Sequence, residues 1–172
     1  NPSPAMKAIL SALLRTFIHP GATVPDASLP QPVGRILVEA QSLALLGARL
    51  YLANVFFSSG LTKLRDWSST LALFQDIYNV PVLPPVLAAY MGTAGELVLP
   101  VLLVLGLAGR FAGAGLFVVN LMAALSLSAD DFSPAAQWQH TTWGLLALAL
   151  VLWGAGRWSV DRYSFGRITK SM

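Results

Sequence analysis

The sequence contains no cysteine and no recognisable cofactor motif. Without cysteine there can be no disulfide, no thiolate-bound iron–sulfur cluster and no thiol–disulfide chemistry. A thiol-oxidising, quinone-reducing membrane enzyme is therefore excluded. The two histidines, His19 and His140, lie in different segments without ligand spacing, so we predict no metal site. The phosphate loop, the dinucleotide fingerprint and the H-E-x-x-H zinc motif are also absent.

Charge is equally scarce. Only 11% of the residues are charged, against about 25% in soluble domains. Residues 111–129 and 132–156 carry no charge, 40–62 carry only Arg49, and 77–109 carry only Glu96. Since about 20 apolar residues cross the hydrocarbon core, we predict membrane spans at roughly 42–62, 85–106, 109–128 and 138–156. The predicted fold is an all-α integral membrane protein, a four-transmembrane-helix antiparallel bundle over residues 35–162.

The basic residues predict an orientation. The side holding both termini and the 107–110 turn carries eight of them, and the opposite side carries Lys63 and Arg65. The eight are Lys7, Arg15, Arg35, Arg110, Arg157, Arg162, Arg167 and Lys170. Because basic loops stay in the cytoplasm, we expect cytoplasmic termini and, in a bacterium, a location in the inner membrane. The net charge of +3 flanks the spans and gives no reason to expect nucleic-acid binding.

The segments outside the spans are expected to lie at the membrane surface. Ala5–Ile18 has a basic stripe opposite an apolar one, which is typical of an interfacial amphipathic helix. A tail ordered only by a partner is the alternative, and a cleaved signal peptide fits less well because Arg15 interrupts the apolar run. The proline-rich linker at 20–32 completes an N-terminal segment over 1–34, and 163–172 is a basic cytoplasmic tail. Ser68–Tyr78 can form a short interfacial helix.

Arg49 and Glu96 are the two charges deep inside predicted spans. Taking Leu61 and Pro85 as the outer ends of spans one and two, they lie about 18 Å and about 16.5 Å below the same surface. Because an unpaired charge at this depth is costly, we predict a buried ion pair between them. The pair could have a functional role or could only fix the register of two helices. Gly109 and Gly113 form a G-x-x-x-G that allows close helix approach.

A second polar layer is predicted nearer the outer surface. It consists of Asn54, Lys63, Tyr90, Asn120, His140 and Trp143. These side chains could hydrogen-bond the headgroup of a quinone or a lipid-like ligand, while Phe56, Phe57 and Phe117 accommodate its ring. The alternative is that each only links helices by hydrogen bonds. A haem is disfavoured because His140 is the only histidine in the bundle, with Met91 and Met122 as weak partners.

The sequence resembles the DoxX family of small bacterial four-helix membrane proteins, over about residues 44–162. The resemblance lies in the stretches RLYLANVFFSSGLTKLRDW (49–67), VPVLPPVLAAYMGTAGELVLPVLLVLGLAGR (80–110) and HTTWGLLALALVLWGAGRWSVD (140–161). Within them, Arg49, Gly60–Leu64, Glu96–Pro100 and Leu105–Arg110 match the recurrent features of the family. No catalytic residue is settled for that family, so the resemblance carries none over.

The resemblance implies a function linked to membrane oxidoreductase systems. One branch of relatives resembles a subunit of a thiosulfate:quinone oxidoreductase, another is linked to a superoxide dismutase and a sulfurtransferase, and others accompany metal-handling peptides. We therefore expect an accessory subunit that is not an enzyme alone, with a quinone as the candidate cofactor. Its partners would be the lipid bilayer, other membrane or periplasmic oxidoreductase subunits, and conceivably further copies of itself. The alternative is a non-enzymatic scaffold or assembly factor, including one for a metal-handling or oxidative-stress system; a small transporter ranks last because the spans lack broken helices.

Overall fold

The computed structural model describes residues 31–127 and 133–163, and within them it is entirely helical. The helices are α1 (Gln31–Arg65), α2 (Trp67–Asp76), α3 (Pro85–Leu105), α4 (Gly109–Ser126) and α5 (Pro134–Trp153). The described part contains no β-strand. The predicted interfacial helix at 5–18, the linker up to residue 30 and the tail beyond residue 163 lie outside the described residues. α1 already begins at Gln31, well before the predicted start of the first span.

Three helices are long and apolar enough to cross a membrane. They are Arg35–Arg65, Pro85–Leu105 and Gly109–Ser126, with mean hydropathies of 1.4, 1.7 and 1.4. The chain is therefore a multi-pass membrane protein with helices in a lipid bilayer. α5 has the length of a span, 20 residues, but Gln137, Gln139 and His140 make its first half polar.

The helices pack as a bundle in which α1 lies against α3 and α5, and α4 lies against α3 and α5. A Cβ atom added at Gly109 would lie 2.5 Å from Ala155 Cβ, and one at Gly113 would lie 3.0 Å from Leu150 Cβ. The close approach predicted from the G-x-x-x-G is confirmed. The core side chains, shared among these four helices, are Leu45, Leu52, Phe56, Leu103, Ala112, Leu116, Ala147 and Leu150.

The connection between α1 and α3 offsets the two helices. Asp66 caps α2 by accepting a hydrogen bond from Ser69 N at 3.0 Å, and α2 then packs along the first turns of α3. A Cβ atom added at Gly60 would lie 2.9 Å from Leu97 Cδ2, so the last turns of α1 lie beside the middle of α3. The start of α3 therefore extends about 15 Å past α1, and α2 covers that length.

Arg49 joins three helix ends at the opposite side of the bundle. Its Nε and Nη2 donate to the carbonyl oxygens of Leu103 and Val104 at 2.7 and 2.9 Å. Its Nη1 donates to the carbonyl oxygens of Ala155 and Trp158 at 2.9 and 2.7 Å. The side chain is buried, with 1% of its surface exposed. The guanidinium thus satisfies carbonyls at the end of α3 and after α5, where helix C-termini leave acceptors unpaired; we call this arrangement the Arg49 clamp.

Asp161 adds a second link at the same end. Its carboxylate accepts hydrogen bonds from Ala108 N at 2.7 Å and Gly109 N at 2.8 Å, which are the first amides of α4. A carboxylate there also interacts favourably with the positive end of the helix dipole. Burial raises the pKa of the Asp161 carboxyl, while those two hydrogen bonds and the nearby Arg49 charge oppose the shift. The α3–α4 turn is therefore held to the segment that follows α5.

The predicted ion pair between Arg49 and Glu96 is wrong. Arg49 contacts backbone carbonyls at the end of α3, whereas Glu96 binds Lys63. The depth comparison assumed that Leu61 and Pro85 lie at one level. The offset created by α2 places Glu96 beside Gly60 and moves Arg49 to the far end of α3.

Candidate functional site

Lys63 and Glu96 form the ion pair inside the bundle. Lys63 Nζ lies 2.6 Å from Glu96 Oε2 and 2.9 Å from Oε1, and it also donates to Ser59 Oγ at 2.9 Å. The two side chains are 21% and 9% exposed. Glu96 is near the middle of α3, about 16 Å from its first residue. A mutual pair with added hydrogen bonds is how charges are tolerated at such depth.

A cavity of about 430 Å³ adjoins this pair. Every described helix contributes to its wall, which is mostly apolar with a few polar groups. The lining residues are Val55, Phe56, Ser59, Lys63, Phe74, Tyr78, Val80, Leu83, Ala88, Met91, Gly92, Glu96, Val118, Val119, Met122, Ala123, Ser126, Leu127, His140 and Trp143. Such a composition is typical of pockets for small amphipathic molecules.

α2 and the loop after it close one side of the cavity. Phe74 and Tyr78 meet edge to face with ring centroids 5.2 Å apart, and Asn79 N donates to Ser126 O at 3.0 Å, which ties the loop to α4. Val82 in this loop has φ of 71° and a fully exposed side chain. Positive φ is unfavourable for a β-branched residue, so the loop stores backbone strain directly beside the cavity.

His140 and Trp143 form the wall contributed by α5. Asn120 Nδ2 donates to the His140 backbone oxygen at 2.8 Å, and Asn120 Oδ1 lies 2.9 Å from His140 Nδ1. Because the amide oxygen can only accept, this pattern places a proton on Nδ1. Trp143 packs against His140 and Phe56 with ring centroids 5.1 and 5.8 Å apart. His140 also borders a second groove of about 410 Å³ between α4 and α5, where Asn120 and Phe117 lie.

The structure brings together part of the predicted ligand site. Lys63, His140 and Trp143 line the cavity, and Asn120 contacts His140 from the adjoining groove. Asn54 lies on the exposed side of α1. Tyr90 is 57% exposed and stacks on Trp67 with centroids 4.8 Å apart.

The three aromatic residues predicted to hold a ring also separate. Phe56 lines the cavity and Phe117 lines the second groove. Phe57 is 37% exposed.

Several cavity residues escaped sequence reasoning. Ser59, Phe74, Gly92 and Met122 line the cavity, yet in the sequence they are indistinguishable from ordinary packing residues. The signal that could have found Ser59 is its position four residues before Lys63, on the same helix face. Asp161 had no sequence signal, because only the folded chain brings it to the start of α4.

The chemistry available at this site is binding. Among the described residues, no group of three histidine, cysteine or acidic side chains could hold a metal ion. The cavity instead offers an apolar volume with one neutralised ion pair at its polar end. An apolar ring or chain fits the volume, and a polar headgroup fits beside Lys63 and Glu96.

A family model described as DoxX matches residues 44–129, half of the chain. The match includes most of α1 and all of α2, α3 and α4, so it contains both members of the ion pair. The sequence resemblance was drawn further, to about residue 162. No curated protein and no solved structure matches the chain.

Proposed function

The chain belongs to the DoxX family, and from that premise we propose that it is a membrane accessory subunit of a bacterial oxidoreductase system that binds a quinone or lipid-like ligand. The cavity of about 430 Å³ beside the Lys63–Glu96 pair is the observation that carries this proposal. A buried ion pair facing an apolar cavity is costly to maintain if it only links two helices. A bound headgroup gives the pair a role beyond packing.

The proposed topology has α5 as a fourth span. α5 lies along α4 over a comparable length, and its polar residues His140 and Gln137 border the cavity or the second groove, where lipid need not contact them. Burial towards the bundle interior is the usual placement of polar residues at membrane depth.

The proposed orientation places the Arg49 clamp in the cytoplasm of the bacterial inner membrane. Arg110 and Arg157 lie at the clamp end, and Arg35 lies further out on α1. At the other end, Arg65 is followed by Asp66. This asymmetry agrees with the tendency of basic residues to remain cytoplasmic.

Filling the cavity tests the binding function. A Cβ atom at Gly92 would meet only Phe74 Cζ, at 3.8 Å, so Gly92→Leu projects extra volume into the cavity without a backbone clash. Gly47→Leu is the matched control, because no atom lies within 4 Å of its Cβ position. The protein is purified in mild detergent, its lipid-soluble content is measured by mass spectrometry, and decylubiquinone is titrated while Trp143 fluorescence is followed.

The expected result is a quinone or lipid retained by the wild type and by Gly47→Leu, and reduced severalfold in Gly92→Leu. The titration should show saturable quenching that Trp143→Phe removes. Equal ligand content in all three proteins, with no saturable binding, would contradict the proposal. That result would favour the scaffold alternative, for which the wholly structural contacts of Arg49 are the supporting observation.

A further inference from the structure

The ammonium of Lys63 has no donor left for a ligand. A lysine carries three N–H bonds, and Lys63 Nζ lies within hydrogen-bond distance of three acceptors: Ser59 Oγ, Glu96 Oε1 and Glu96 Oε2. The lysine at the polar end of the cavity is therefore committed to the protein. A ligand carbonyl that needs a donor would have to displace one of these bonds.

Glu96 has the opposite character. An ionised carboxylate offers about four acceptor positions and no donor, and each Glu96 oxygen takes one hydrogen bond from Lys63 in the described residues. Its side chain keeps 9% of its surface exposed and lines the cavity. Acceptor capacity is therefore what the pair presents to the cavity.

Charge balance points the same way. Lys63 and Glu96 carry opposite charges 2.6 Å apart, so their summed field in the cavity is small compared with that of one ion. A full charge on the ligand would lose its hydration without gaining a counter-ion. The polar end therefore suits a neutral headgroup.

We infer that the cavity selects ligands whose neutral polar end donates a hydrogen bond to Glu96, namely an apolar ring or chain that ends in a hydroxyl group. For a quinone-type ligand this is the reduced, quinol form, whose hydroxyls donate, and not the quinone, whose carbonyls only accept. A lipid alcohol has the same donor chemistry. The inference rests on the proposed function, since it specifies the ligand of the same cavity.

The test compares probes that share a tail and differ in the headgroup. Decylubiquinol, decylubiquinone and the dimethyl ether of the quinol are titrated anaerobically into the purified wild type, and dioctanoylglycerol is then added as a competitor. One hydrogen bond to a charged acceptor predicts that the quinol binds about tenfold or more tightly than the quinone or the ether. Displacement by dioctanoylglycerol would identify the donor as a general hydroxyl, and its absence would restrict the class to quinols; both support the inference.

Two variants test the role of the ion pair. Glu96→Gln removes the carboxylate and releases Lys63, so the preference for the quinol should disappear or reverse. Ser59→Ala keeps the pair but releases one Lys63 N–H towards the cavity, which should raise quinone affinity and narrow the ratio. Ser59→Ala removes one hydroxyl on a half-buried position, so it provides the answer even if Glu96→Gln does not fold.

The outcomes separate the two proposals. Equal binding of all three decyl probes by the wild type would overturn the selectivity for donors and leave ligand binding intact. Tighter binding of the quinone than of the quinol would also overturn it. Failure of every probe to bind the wild type would overturn both the inference and the proposed function.

Discussion

Replacing Arg49 by methionine is the perturbation whose size follows most directly from the structure. Methionine keeps much of the buried volume but removes the four hydrogen bonds to the carbonyls of Leu103, Val104, Ala155 and Trp158. Leu103 O keeps a hydrogen bond from Gly106 N, so not every acceptor is lost equally. Removing the donor from buried acceptors costs about 1–3 kcal/mol for each one left unpaired.

We expect Arg49→Met to lower the free energy of unfolding by about 3–5 kcal/mol, the range found when one side of a buried charged contact is removed. For a chain of this size each kcal/mol shifts Tm by about 2–4 °C, so a shift of about 6–20 °C is expected. Arg49→Lys should be intermediate, because lysine keeps the charge but has three donors and no planar fork.

The assay is thermal unfolding in detergent, followed by intrinsic tryptophan fluorescence. Trp158 belongs to the clamp itself, so its emission reports that end of the bundle. Arg35→Met is the matched control, since Arg35 is an exposed arginine on the same helix and surface changes usually stay within about 0.5 kcal/mol. A Tm for Arg49→Met within 2 °C or so of the control would refute the reasoning.

Three further predictions concern the ends of the helices and their contacts. Asp161→Ala removes both hydrogen bonds to the start of α4 and should cost about 2–5 kcal/mol, with Asp161→Asn losing less; the same thermal assay measures both. Gly60→Ala places a Cβ atom 2.9 Å from Leu97 Cδ2 and 3.1 Å from Glu96 Cβ, so it should cost about 1–3 kcal/mol, whereas Gly47→Ala should be neutral. Hydrogen bonds from Ser69 and Ser68 lower the pKa of Asp66, so its stabilising contribution is present above the unfolded pKa of about 3.9 and is lost as pH falls through the lower folded value. The difference in Tm between wild type and Asp66→Ala should therefore be present at pH 7 and shrink in strong acid, and a pH-independent difference would contradict it.

The sequence was sufficient to locate the helices but not their relative heights. Long runs without charge define α3 and α4 almost to the residue, because lipid accepts nothing else over that length. The heights depend on α2, whose packing along α3 shifts Glu96 to the level of Gly60. No local pattern encodes that shift, since it results from contacts between segments.

The candidate site was predictable where a polar residue stood out against an apolar background. Lys63, His140 and Trp143 met that condition and line the cavity. Asn54 and Tyr90 met it too, yet they lie on outer faces. Helical periodicity gives the face of a residue only when the neighbours of that face are known, and here the neighbours are set by the offset of α1 and α3.

The Arg49 clamp makes the bundle mechanically unequal along its length. At the clamp end, one side chain and Asp161 hold the ends of α1, α3, α4 and the segment after α5 within a few hydrogen bonds of each other. At the other end, the helices diverge around an apolar cavity closed by α2 and a strained loop. Any opening that admits a ligand must therefore pivot about the clamp, so that small rotations at Arg49 become the largest displacements at α2. Amide hydrogen exchange should accordingly quicken from the clamp towards the cavity.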